Sequence, residues 1–147
     1  MLQQDYLMRL LVGLAVAIRE ALEKHGAQTD NSGSRLQLET AIGVAADMDP
    51  DVLLSLAPES ISTILWLGNL NDSVAEYIVH ALMLDSTYCA EDGYDSLAAL
   101  RRQQAEAITE SFGFAYDPDR LEVLLNPTNA KDEEERAELE AQYREFK

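Results

Sequence analysis

The sequence has little of what disulfide frameworks, many-stranded sheets and membrane spans require. Its one cysteine, Cys89, cannot form a disulfide within the chain and offers no paired-thiol metal site. Seven glycines and four prolines are few for the turns of a many-stranded sandwich. An uninterrupted apolar run, residues 10–18, is far shorter than the roughly 20 residues that span a bilayer. The composition therefore predicts a helical, cytoplasmic protein.

Basic residues are scarce as well. Eleven Lys and Arg against twenty-seven Asp and Glu give a formal net charge of −16. A charge of this sign repels phosphate backbones and anionic lipids, so we expect neither nucleic acid nor a membrane as a partner. From Leu36 to Leu100 there is no Lys or Arg at all. The acids in this stretch either keep an apolar chain in solution or form a surface for a basic protein partner.

Apolar residues, by contrast, make up 47% of the chain, and they recur at helical spacing. In residues 4–24 the intervals are three and four, the period of a helix with one apolar face. Residues that start and stop helices predict further ones along the chain. The expected helices after the first are 34–48 capped by Ser34, 58–67, one from 72 to a stop at Gly93, 95–113, and 118–125. Pro50 either ends the helix over 34–48 or starts a short further one.

The predicted fold is all-α. We expect a single domain over residues 1–147, with about six or seven helices arranged as antiparallel hairpins or a bundle. Residues 131–147 carry four basic and seven acidic residues. They are expected to form an acidic C-terminal helix that docks on the others, or a frayed tail.

Three aspartates at alternate positions suggest a calcium loop but do not complete one. Asp47, Asp49 and Asp51 match its opening, where carboxylates converge on the cation. Its sixth position, which requires Gly, is Val52, and its twelfth, which requires a bidentate Glu, is Pro58. We therefore expect no metal here and assign the acids to the start of the following helix.

A second polar group lies on the helix predicted from residue 72. Asp72, Glu76 and His80 are spaced by four, so they share one helical face, and Glu76 could orient His80 as a general base. The same helix offers no nucleophile, because Cys89 falls on the opposite face and about 13 Å along the axis. The prediction is a solvent-facing polar stripe, with no catalytic residue and no cofactor. The alternative is an enzyme or small-ligand site assembled from distant segments around His80.

The chain opens with Gln3-Gln4-Asp5-Tyr6-Leu7-Met8-Arg9. This opening resembles the start of a family of small bacterial proteins catalogued as a domain of unknown function. The resemblance covers the N-terminal segment, and it implies a bacterial cytoplasmic protein with a helical fold and no particular activity. Asp5 suits the first turn of a helix and can pair with Arg9 four residues later. Asp5, Tyr6 and Arg9 therefore form a candidate partner-binding patch.

The helix predicted over residues 4–24 has more apolar surface than one core-facing stripe requires. Val12 and Val16 lie outside that stripe. Either the later helices enclose this helix, or its second face meets a second copy across a two-fold contact. We expect Val12 and Val16 at such an interface, most simply a homodimer through this first helix. The function that remains is a non-catalytic interaction or assembly module.

Overall fold

Helices form all the regular structure in the part of the chain that the computed structural model describes, residues 2–126, with side chains from residue 5 onward. Contacts between helices join these elements into one all-α domain, as predicted. The tail at 131–147 lies outside the described residues. In chain order the elements are α1 Leu2–Lys24, α2 Ser32–Ala46, α3 Pro50–Leu54, α4 Pro58–Leu67, α5 Asp72–Glu91, α6 Asp95–Phe112, a 3-10 turn Pro118–Arg120, and α7 Leu121–Leu124.

Most helices begin where local sequence signals predict. The Asn71 side chain accepts a hydrogen bond from the Ser73 amide at 2.8 Å and starts α5. The Asp49 carboxylate accepts one from the Asp51 amide at 2.9 Å and starts α3. Pro58 occupies the first turn of α4, where its missing N–H costs nothing. Asp49 and Asp51 thus shape a helix start, as expected, whereas Asp47 lies at the end of α2.

The start of α2 differs from the prediction. The helix begins at Ser32, and Ser34, which was expected to cap it, is buried inside its first turn. Asn31 occupies the capping position, and its backbone N–H donates to the Asp92 carboxylate at 3.0 Å. Its side-chain amide donates to Glu91 Oε1 at 3.0 Å. The bend before α2 is therefore held by the end of α5, a partner that local sequence cannot show.

Helix α5 lies at the centre of the domain. It packs against α1, α2 and α6, while α4 packs against α6 and α3 against α2. Its buried residues, such as Ile78 and Leu82, occupy several faces, as expected for an interior helix. Residues 12–18 of α1 are also all buried. The structure thus encloses α1 within its own domain.

The chain after α6 crosses back over α1 and α5, and we call residues 113–126 the strap. Two side chains hold it through its backbone carbonyls. Tyr77 Oη donates to the carbonyl of Leu124 at 2.5 Å, and Arg19 Nη2 donates to that of Leu125 at 2.5 Å. Leu124 is buried, whereas most residues of the strap are exposed. The strap is therefore attached by a few polar contacts, by buried Leu124, and by Phe114, Leu121 and Leu125, which are partly buried against the core.

Candidate functional site

A groove of about 490 Å³ lies between the start of α1 and the end of α2. Tyr6, Arg9 and Leu10 line it from α1, at intervals that place them on one helical face. The other wall belongs to α2 and the turn into α3. This second wall comprises Thr40, Gly43, Val44, Asp47, Met48, Asp49 and Pro50. We call this feature the α1–α2 groove.

A sharp turn after α2 gives the groove its second wall. Asp47 ends the helix in the left-handed conformation, with φ of 56°, and directs Met48 and Pro50 back across Gly43. A Cβ atom on Gly43 would lie 2.8 Å from the Met48 carbonyl oxygen and 2.9 Å from a ring carbon of Pro50. Only glycine allows this approach without a shift of the backbone. The position of Pro50 beside the groove depends on it.

The groove combines apolar walls with charges of opposite sign. Arg9 contributes a guanidinium whose Nε is shielded from solvent and has no hydrogen-bond partner within the described residues. Asp47 and Asp49 lie on the other wall, and both are exposed. Tyr6 and Val44 are 51% and 42% exposed, so an apolar surface is available at the rim. An apolar groove with a few placed charges is the usual form of a binding site.

Of the residues predicted to bind a partner near the N-terminus, some lie at the surface and others are buried in the core. Tyr6 and Arg9 line the α1–α2 groove, and Asp5 is exposed one residue before Tyr6. Val12 and Val16, in contrast, are only 0% and 3% exposed. The expectation that these two valines form a surface for a second copy is corrected, because the protein's own core already covers them.

The predicted polar stripe on α5 is not a solvent-facing stripe. Asp72 is exposed, but Glu76 forms an ion pair with Arg120 from the strap. His80 is only 4% exposed, and its ring lies 4.9 Å from the ring of Tyr116. Burial lowers the pKa of His80, so its neutral form is favoured in the folded chain. The strap covers this face, which is why periodicity alone gave the wrong exposure.

The surroundings of His80 do not favour the alternative of a catalytic or small-ligand site. The cavity beside it measures about 130 Å³, below the several hundred Å³ usual for ligand sites. Cys89 is buried, and burial raises the pKa of its thiol to about 11. A thiol with such a pKa stays protonated at neutral pH and is a poor nucleophile.

Sequence reasoning missed a buried polar cluster where α2, α3, α5 and α6 meet. Arg101 Nε donates to Asp85 Oδ2 at 3.0 Å, and Arg101 Nη1 donates to the carbonyl of Leu54 at 2.8 Å. Gln104 donates to the same carbonyl at 3.0 Å, and Glu39 lies 3.4 Å from Arg101 Nη2. Together Arg101 and Gln104 cap the end of α3, whose last carbonyl groups lack partners within that helix. The cluster is structural.

A signal for this cluster is present in the sequence. Ala98, Arg101, Ala105 and Ile108 follow each other at intervals of three and four, which puts the arginine on the buried face of α6. The larger residues Leu97 and Leu100, each one position earlier, are only partly buried. A charged residue in phase with small apolar residues therefore indicates a buried ion pair.

Among the described residues, no group of three or more His, Cys, Asp or Glu side chains is arranged to hold a metal ion. None of the helices in residues 2–126 is both long enough and apolar enough to cross a membrane.

The chain was also compared with known proteins. No family model, no curated protein and no solved structure matches it. The likeness of the N-terminal segment to a bacterial domain of unknown function therefore stays a prediction.

Proposed function

We propose that this protein is a non-catalytic, cytoplasmic protein-interaction module that binds a basic amphipathic segment of a partner protein in the α1–α2 groove. The observation that carries the proposal is the groove itself, with apolar walls beside an exposed row of aspartates. Apolar side chains of the partner would be buried between α1 and α2. Its Lys or Arg side chains would face the carboxylates at the rim.

Only some of the acidic side chains in the folded chain are free of internal ion pairs and therefore available to such a partner. Several acids of the stretch without basic residues are already paired within the domain. Arg101 contacts Glu39 and Asp85, and Arg35 Nε lies 3.5 Å from an Asp92 oxygen. Asp47 and Asp49, in contrast, are exposed and line the groove. These two are therefore the proposed attraction for a basic segment.

The groove has a suitable size and position for a peptide. Its volume of about 490 Å³ falls within the range of binding sites in proteins. Tyr6 adds an aromatic side chain at the rim, a residue type enriched where interfaces gain most of their binding energy. Because Tyr6 and Val44 belong to two different helices, a bound segment would contact both walls at once.

The test is a selection from a random peptide library displayed with free C-termini on a carrier. The purified protein is the bait, and Val44→Asp is the groove variant, since it places a carboxylate on an apolar wall. Leu36→Asp is the matched control: it makes the same change on α2, at a side chain that is 66% exposed and does not line the groove. Both variants are checked for wild-type helicity and thermal unfolding.

We expect the enriched peptides to combine apolar residues with Lys or Arg and to bind less tightly as the salt concentration rises. Binding should be lost in Val44→Asp and kept in Leu36→Asp. Enrichment of acidic peptides, equal binding to the two variants, or no enrichment would refute the proposal.

A further inference from the structure

Arg9 is the guanidinium that the α1–α2 groove presents to a ligand. Its Nε is shielded from solvent and has no hydrogen-bond partner among the described residues. By comparison, Arg101 contacts two carboxylates and a carbonyl, and Arg120 binds Glu76. Arg9 lines the groove, and its Nη atoms are not shielded as Nε is, so a ligand carboxylate in the groove can accept hydrogen bonds from them.

We propose that Arg9 binds the terminal carboxylate of the partner's chain, so that the α1–α2 groove recognises a basic, apolar C-terminus. This inference rests on the proposed function and specifies its ligand. A guanidinium matches a carboxylate in two parallel hydrogen bonds, which a backbone carbonyl cannot offer. A segment attracted by Asp47 and Asp49 is rich in Lys and Arg, and when it lies at a C-terminus its chain end supplies the carboxylate.

The placement of the charges defines the direction of the bound segment. Arg9 lies on the α1 wall, whereas Asp47 and Asp49 lie on the opposite wall, at the turn after α2. The chain end would contact α1, and the preceding basic residues would extend towards the turn. Tyr6 and Leu10 flank Arg9 on the same wall. Their apolar surface excludes water from the ion pair, which strengthens it relative to an exposed pair.

The experiment compares three forms of the tightest peptide from the selection. The first has a free C-terminus, the second is amidated, and the third is amidated but carries an additional Glu next to its end. Their dissociation constants are measured by fluorescence anisotropy with wild type, Arg9→Gln, Arg9→Lys and the groove variant Val44→Asp. Val44→Asp reports on the proposed function, and the amide reports on the inference.

With wild type we expect amidation to weaken binding by about tenfold, the usual effect of one charge-assisted hydrogen bond. Arg9→Gln should bind the free and amidated peptides equally, while Arg9→Lys should retain part of the difference. The Glu-bearing amide should bind like the plain amide.

Each other outcome contradicts a defined step. Equal binding of acid and amide by wild type, with loss in Val44→Asp, would overturn the inference and leave the proposed function standing. Recovery by the Glu-bearing amide would show that any carboxylate suffices and would overturn recognition of a chain end. A selection without enrichment, or binding that Val44→Asp does not change, would remove both proposals.

Discussion

Asp85 is the residue whose surroundings depart furthest from those of an ordinary acid. It is fully buried, and its second oxygen, Oδ1, has no hydrogen-bond partner among the described residues. Burial, reinforced by the nearby Glu39 carboxylate, raises the pKa of Asp85 to about 8. The carboxylates of Asp85 and Glu39 share the single guanidinium of Arg101, and burial disfavours the charged form of Asp85. The folded chain therefore binds a proton on Asp85 more tightly than the unfolded chain does.

This proton makes stability depend on pH in a defined direction. Asp85 titrates near 3.8 when unfolded and near 8 when folded, so its contribution to the free energy of unfolding falls as pH rises between these values. Asp85→Asn should remove that contribution and give a flatter dependence above about pH 5. Urea denaturation followed by circular dichroism across this range measures it. Asp95→Asn, an exposed acid at the start of α6, is the control and should retain the wild-type slope.

At the scale of the element, the strap is mostly exposed and contacts the helices beneath it through a few side chains. Leu124 is its buried side chain, and its backbone is held by Tyr77 and Arg19. Segments with few buried apolar contacts open locally at a lower free energy than the core does. His80 and Tyr116 are in contact because the strap lies over α5.

Tyr77→Phe should loosen the strap selectively. The change removes the hydroxyl that donates to the Leu124 carbonyl and leaves the buried ring in place, at a cost of about 1 kcal/mol. Hydrogen exchange should become faster at the amides of Leu125 and Asn126, with little change in α5 and α6. Tyr94→Phe, on an exposed ring, is the matched control and should exchange like wild type. A uniform increase across all helices would contradict a locally attached strap.

The helices themselves could be predicted because their boundaries depend on residues a few positions apart. Asn71 starts α5 by accepting bonds from the amides of Ser73 and Val74, two and three residues on, so the signal is local. Asn31 could not be recognised in this way, because its carboxylate partner Asp92 is 61 residues away. The burial of His80 was wrongly predicted for a similar reason. A helix repeat gives the face of a side chain, but the covering segment comes from elsewhere in the fold.

The candidate site was predictable only in part. The opening of the chain pointed to Tyr6 and Arg9, since Asp5, Tyr6 and Arg9 place a polar pair and an aromatic residue in the first turns of a long apolar helix. The opposite wall depends on Gly43 and on the reversal at Asp47, which bring Pro50 next to α2. A positive φ at an aspartate has no unique sequence signature. The groove could therefore be recognised only in the folded structure, although the residues of its α1 wall could be predicted from the sequence.

Across the whole molecule, the long stretch without basic residues is stabilised from its two borders. Arg35, immediately before it, lies 3.5 Å from Asp92, and Arg101, immediately after it, contacts Asp85 and Glu39. The acids nearest the core are thereby paired, while others stay at the surface and give the chain its net charge of −16. Folding thus separates a structural set of carboxylates from an exposed set.

The enclosure of α1 changes what its apolar residues are expected to do. Helices α2 and α5 pack against it, and Val12 and Val16 are buried without a second copy. Homodimerisation stays a prediction, but these valines are not its contact surface in this fold. Substitutions there should act on the stability of the monomer.

Val12→Glu and Val16→Glu should therefore unfold the chain instead of dissociating a dimer. Each would bury a carboxylate without a partner, at a cost of about 4 kcal/mol or more. That cost is a large part of the free energy of unfolding of a small domain. Circular dichroism and urea denaturation should show lost helicity or a greatly lowered midpoint. Leu22→Glu is the control on the same helix, because Leu22 is 38% exposed and should accept the charge. Variants that stay fully helical but halve their mass in light scattering would instead place these valines between two copies.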